Sequence, residues 1–89
     1  MSINYSMIMA TSSAYQLAQK AVSDLKTAIH ILLSESNQQG LTNAEIGRAL
    51  GIYHGHIGHE GHIPRTLLSL MENEGIVEQI LETKRWKIK

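Results

Sequence analysis

The side chains best suited to binding chemistry lie between residues 53 and 69. Residues 53–62 hold four histidines and three glycines, and Arg65, Thr66 and Ser69 follow directly. A guanidinium can bind a guanine edge at two points, and a hydroxyl can contact a base or a phosphate. These residues, together with His62, are therefore candidates for contacts with nucleic acid.

The same histidines are the candidate metal ligands, with Glu60 among them. Neutral imidazole binds Zn, Ni or Cu. However, H-x-H-x-x-H-x-x-H is not a recognised structural-zinc spacing, and the glycines leave the ligands poorly preorganised. The alternative is a flexible polar loop whose histidines cap helices or contact phosphates. We predict no resident metal and keep Zn or Ni as the alternative, with the ligands His54, His56, His59 and His62.

The sequence offers little for catalysis. It contains no cysteine, and Asp24 is its one aspartate. No serine stands in a nucleophile turn, and no phosphate-cradling glycine loop precedes a helix. We therefore predict that the protein is not an enzyme.

Two short helices must position these side chains. Thr42 and Glu45 have the spacing of a capping box, and Gly51 can end the helix that they begin. A second helix begins near Pro64, where a missing N–H is tolerated, and ends at Gly75. Its predicted buried face is Ile63, Leu67, Leu68, Leu70 and Met71. Two helices joined by a turn form a helix-turn-helix, whose second helix can enter the DNA major groove.

A hairpin is predicted after these helices. Residues 76–79 are β-prone, residues 82–84 resemble a turn, and residues 85–89 alternate basic with apolar side chains. We expect Val77, Trp86 and Ile88 to face inward, and Lys84, Arg85 and Lys87 to form an outward basic row. In the first of the short helices, Gly47 is expected where another helix backbone approaches closely.

A long helix is predicted before them. Residues 13–16 fit a capping box, and the apolar stripe runs to about Ser34 through Leu17, Ala21, Leu25, Ala28, Ile29 and Leu32. Residues 1–12 are read as an N-terminal arm and residues 13–89 as one domain. The first half of the helix projects beyond the core, so we predict a homodimer through this helix and the arm.

Composition narrows the class of protein. Eighty-nine residues make one domain, and the formal net charge is zero. Zero charge counts against binding to DNA by electrostatics alone. No apolar run approaches a membrane span, and the N-terminus does not resemble a signal peptide, so a cytoplasmic location is expected.

Residues 25–89 resemble the winged helix-turn-helix family. The similarity lies in L-T-N-A-E-I-G-R-A-L-G-I and R-T-L-L-S-L-M-E-N-E-G-I-V, in that order, while the long histidine-glycine connection departs from the family pattern. The resemblance implies an α+β fold of three helices and a C-terminal hairpin wing. It also implies DNA binding by Arg65 and Thr66 on the recognition helix and by Lys84, Arg85 and Lys87 on the wing.

The predicted function is sequence-specific binding of double-stranded DNA by a small transcriptional regulator or an accessory module of a DNA-processing system. Similar histidine-glycine segments occur near restriction-type nucleases. The alternatives are a winged-helix protein-interaction module and a metal-responsive DNA binder. The full set of predicted DNA-contacting residues is Thr42, Asn43, His54, His56, His59, His62, Arg65, Thr66, Ser69, Lys84, Arg85 and Lys87.

Overall fold

A computed structural model describes residues 5–55, 58 and 60–89, with side chains from residue 12 onward. Within these residues the chain forms three helices followed by a two-stranded antiparallel hairpin. The elements are α1 (Tyr5–Glu35), α2 (Asn43–Ala49), α3 (His62–Asn73), β1 (Val77–Gln79) and β2 (Trp86–Ile88). This α+β arrangement is compatible with a winged-helix layout.

Helix α1 is longer than predicted. It begins at Tyr5 and runs without interruption to Glu35, so the predicted start at Ser13 is wrong and residues 5–12 of the predicted arm belong to the helix. Met and Ala are good helix formers and no Gly or Pro interrupts residues 5–12, which explains why the helix continues through the apparent capping box. The predicted end near Ser34 is confirmed within one residue.

Among the described side chains of α1, from residue 12 to residue 35, the buried ones lie in the second half of the helix. Ile29 and Leu33 are buried, and Val22, Leu25 and Leu32 pack against the core. Leu17 and Ala21 of the predicted stripe are exposed. None of the described helices is long and apolar enough to cross a membrane.

The two short helices begin and end much as predicted. The Thr42 hydroxyl accepts from the Glu45 N–H at 3.1 Å, while the Glu45 side chain accepts from the Thr42 N–H, which confirms the capping box. Gly51 and Gly75 both have left-handed φ angles. At each glycine two backbone bonds close a Schellman motif, as in the 2.9 Å bond from the Ile76 N–H to the Met71 carbonyl.

The hairpin packs on the helices through its first and last residues. Val77 pairs with Ile88 and Gln79 pairs with Trp86. The other edge of Trp86 bonds to Leu41, with N–O distances of 3.0 and 2.7 Å, so an isolated antiparallel bridge joins the segment before α2 to the hairpin. The core thus joins all three helices to both strands through Ile29, Leu33, Ile46, Leu67, Leu68, Met71, Val77 and Trp86.

We predict that Gly40→Ala is much more destabilising than Gly51→Ala. Both glycines have similar left-handed φ angles, 76° and 72°. An added Cβ at Gly51 meets nothing within 4 Å, whereas at Gly40 it overlaps the Trp86 carbonyl group. We expect losses in the free energy of unfolding of about 1 kcal/mol at Gly51 and about 3 kcal/mol or more at Gly40.

Urea unfolding of the two variants checks this prediction. The backbone strain is matched, so the difference between them reports the close packing of Gly40 on β2. Equal losses would show that Leu41 does not pair with Trp86 in solution.

Candidate nucleic-acid interface

The outer face of α3 carries the exposed polar side chains of the site. Pro64, Leu67, Leu68 and Met71 are buried at spacings of three, one and three residues, and they fix the helix on the core. The opposite side is therefore turned to solvent. It presents His62, Thr66, Ser69 and Asn73, with Arg65 beside them, all exposed.

Two apolar residues of the predicted buried face of α3 are not buried. Ile63 and Leu70 are each 42% exposed, and they flank the polar face on the side that adjoins α1. Pro64 takes a buried position instead. The sequence alone did not determine the rotation of the helix, because its apolar residues span an arc of about 160°, whereas the buried ones span about 100°.

The beginning of α3 is held by the beginning of α2. Gly61 precedes the helix at φ 83° and is buried. The Asn43 side-chain amide donates to the Gly61 carbonyl at 3.2 Å, and the Gly61 N–H donates to the His54 carbonyl at 3.1 Å. The Asn43 bond brings the N-terminus of α2 beside that of α3, so Asn43 lies next to the start of α3 and Thr42 directly precedes it in the chain.

Tyr53 is a positioning residue that the sequence did not reveal. A Cβ at Gly47 would approach its ring within 2.8 Å, and a Cβ at Gly61 would approach it within 2.7 Å. The Arg48 guanidinium lies 4.7 Å from the ring centre on the open side. A Cβ at Gly47 would also lie 3.1 Å from the Pro64 ring, so Gly47 accommodates two side chains rather than the helix backbone that was expected. The signal that the sequence offered for this packing was the presence of Gly47 and Gly61 on either side of Tyr53.

The histidine segment is described only in part. His54 and His62 are exposed, and His56 and His59 lie outside the described residues. Among the residues that are described, no three His, Cys, Asp or Glu side chains are grouped so as to hold a metal ion. The predicted contacts of His56 and His59 therefore remain predictions.

The predicted basic row on the hairpin does not form as three outward cations. Lys87 is partly buried and lies 3.5 Å from Glu78, its cross-strand neighbour. Arg85 is also partly buried, and its Nη1 donates to the Gly40 carbonyl at 3.0 Å and to Glu45 Oε1 at 3.1 Å. Lys84 is exposed in the turn, at a left-handed φ of 63°. Contacts with Glu45, the Gly40 carbonyl and Glu78 thus engage two of the three cations.

Charge is unevenly distributed along the outer face of α3. At its start, Arg65 Nη2 lies 3.5 Å from the Glu60 carbonyl, at the limit of a hydrogen bond. Glu72 is exposed near its end, and Glu74, which follows the helix, pairs with Lys26 at 2.9 Å. The first half is therefore the part of α3 that favours an anion.

Arg85 joins the hairpin to the cap of α2 through Glu45. The Thr42 N–H donates to Glu45 Oε1 at 2.8 Å, and this bond, aided by the charge of Arg85, holds the pKa of Glu45 below its usual value. The ionised carboxylate thus stabilises the fold. Its contribution is complete above the ordinary pKa of a glutamate and is lost as the pH falls through the lower folded value.

We predict that Glu45→Gln flattens the acid side of the stability profile. The variant should lose stability relative to the wild type near neutral pH, and the gap should narrow as the pH falls toward about 3. Urea unfolding at a series of pH values measures this. Glu82→Gln, at an exposed position in the hairpin turn, is the control and should leave the profile unchanged. A gap that stays constant with pH would contradict the role given to the Glu45 carboxylate.

Comparison with protein-family models, curated proteins and solved structures finds no match to this chain. The winged helix-turn-helix resemblance therefore rests on the order and termination of the elements. The function is therefore inferred from the geometry of α3, of the segments that pack against it and of the hairpin.

Proposed function

We propose that the chain is a winged helix-turn-helix domain that binds double-stranded DNA through the first half of α3. The observation that carries this proposal is the exposure of Arg65, Thr66 and Ser69 on a helix whose opposite face is buried. A helix held in this way can enter a groove without unfolding any part of the core. Arg65 would bind a guanine edge, and Thr66 and Ser69 would contact bases or phosphate.

The dimensions of the helix suit the major groove. An α-helix with its side chains is about 10–12 Å across, and the major groove is about 12 Å wide. With twelve residues, α3 is about 18 Å long. Its N-terminus carries partial positive charge, which favours a neighbouring phosphate. Glu72 lies nearly three turns after the first residue of the helix, so the start of the helix is the end that approaches DNA.

The hairpin has a smaller part in this proposal. Lys84 is the cation placed to contact the DNA backbone, since Arg85 and Lys87 are engaged with Glu45 and Glu78. Arg85 instead positions the hairpin against α2. With a net charge of zero, binding should draw more on base contacts than on a general electrostatic field.

Within this proposal the protein is a small transcriptional regulator or an accessory module of a DNA-processing system, and paired subunits read two half-sites. A protein-interaction module is the second candidate. The partly exposed Ile63 and Leu70 beside the polar face of α3 favour it, because exposed apolar side chains on a helix are suited to a protein partner.

A mobility shift on randomised duplexes tests the function. It should be run at several stated salt concentrations, each with and without a chelator. Shifted bands with a shallow salt dependence are expected. Loss of the bands on chelation would instead favour a metal-responsive binder that uses the histidine segment. The absence of any shift at low salt would remove the DNA proposal and favour the interaction module.

We predict that Arg65→Ala weakens specific binding by about 1–3 kcal/mol and relaxes the selected sequence, because it removes a base contact. Lys84→Ala is the matched control, since it also removes one exposed cation but should weaken binding to all sequences alike. Affinities for a selected and a scrambled duplex give both results. Equal losses on the two duplexes for Arg65→Ala would contradict its role in base recognition.

A further inference from the structure

The first half of α1 is a helix without charge. Residues 5–19 contain no Asp, Glu, Lys or Arg, and all the side chains described from residue 12 to residue 21 are exposed. Tyr15 is 65% exposed and Leu17 is 70% exposed. Exposed helices ordinarily carry charged residues on their solvent side. This half of α1 is therefore suited to burial against a partner, and its lack of basic residues makes DNA a poor candidate for that partner.

One apolar stripe links the exposed half of α1 to the buried half. Its members alternate at spacings of three and four residues, which is the heptad pattern of helices that pair. They are Tyr15, Ala18, Val22, Leu25, Ile29 and Leu32, and the sequence continues the spacing back to Thr11 and Ile8. The rest of the chain buries Ile29 but leaves Tyr15 and Ala18 exposed.

An apolar groove begins where the exposed part of the stripe ends. Its volume is about 300 Å³, and it lies between α1 and the start of α3. The lining residues are Val22, Leu25, His62, Ile63, Thr66 and Leu67. The partly exposed Leu70 continues the apolar flank of α3 one helical turn beyond Thr66.

We propose that the charge-free half of α1 packs into this groove on a second copy of the chain, in an antiparallel pair. This inference rests on the proposed function, in which two subunits read two half-sites, and it specifies how the two chains are arranged. With the two-fold axis at the level of Lys20, Tyr15 of one copy lies opposite Leu25 of the other. Ala18 likewise lies opposite Val22.

Self-complementarity points to a second copy rather than to a different protein. The exposed stripe and the groove are neighbours on one helix, so a single two-fold rotation fills both grooves and closes the assembly. α1 has 31 residues, or about 46 Å, which is long enough to cover a partner's groove while its own second half stays in its own core. The same contact covers Ile63 and Thr66, which both line the groove. It leaves Arg65, on the far flank of α3, and Ser69 turned away from the partner, so in the pair these two residues remain for contact with DNA.

Ala18→Glu tests the pairing directly. Ala18 is exposed in the single chain, so the substitution leaves the isolated fold intact, but in the pair it places an unpartnered charge against Val22. Sedimentation equilibrium should give the mass of two chains for the wild type and of one chain for Ala18→Glu, with equal helical content by circular dichroism. Gln16→Glu adds the same charge on the opposite face of α1 and should remain a dimer. A monomeric wild type, or a dimeric Ala18→Glu, would overturn the proposal.

Disulfide trapping tests the direction of the pair. The natural chain has no cysteine, so single Tyr15→Cys and Leu25→Cys chains give a clean background. An antiparallel pair predicts a mixed disulfide when the two variants are combined and oxidised, and little cross-linking of Tyr15→Cys with itself. In that geometry the two substituted Tyr15 positions are about 15 Å apart along the helices, too far for a disulfide. Efficient self-linking of Tyr15→Cys would show a parallel pair and refute the geometry.

Mobility shifts on the same variants separate this proposal from the DNA proposal. If the wild type is a dimer but shifts no duplex, the pairing stands and the DNA proposal is wrong. If the wild type is a monomer and shifts a selected duplex, the DNA proposal stands and the pairing is wrong.

Discussion

The packing of Tyr53 between Gly47 and Gly61 is the constraint on which the site depends. A Cβ at either glycine would come within 3 Å of the Tyr53 side chain, so the separation of α2 from the start of α3 is set by one aromatic side chain. Protein interiors are closely packed, so a methyl group added at either glycine would force Tyr53 or α3 to shift. The direction of α3, and with it the direction of Arg65, follows from this packing.

Three cations of the protein join its elements. Arg85 connects β2 to the cap of α2, Lys26 connects α1 to the end of α3, and Lys87 pairs across the hairpin. Partly exposed pairs such as these contribute modestly to stability. Their larger effect is on the outer surface, where they reduce the positive charge available to a nucleic acid. A protein of this kind would discriminate by contacts at the start of α3 rather than by its overall field.

Helix α1 belongs to two environments. Its second half is part of the core through Ile29 and Leu33, while the side chains described from residue 12 to residue 21 are exposed. Within the described residues, the two short helices and the hairpin pack against the second half. In the proposed pair a second copy covers the exposed half of α1. The same helix then contributes to the core of its own chain and to the interface with the other.

The sequence by itself determined the features that depend on neighbouring residues. The cap formed by Thr42 and Glu45, the ends of α2 and α3 at Gly51 and Gly75, and the pairing of the C-terminal strands are local, and each was predicted correctly. Tertiary structure decided the rest. The outward turn of Ile63, the reach of Arg85 to Glu45 and the packing of Tyr53 on two glycines each depend on residues distant in sequence. Helix propensity and side-chain alternation carry no information on such contacts, because they record only which face of an element is apolar and not what covers it.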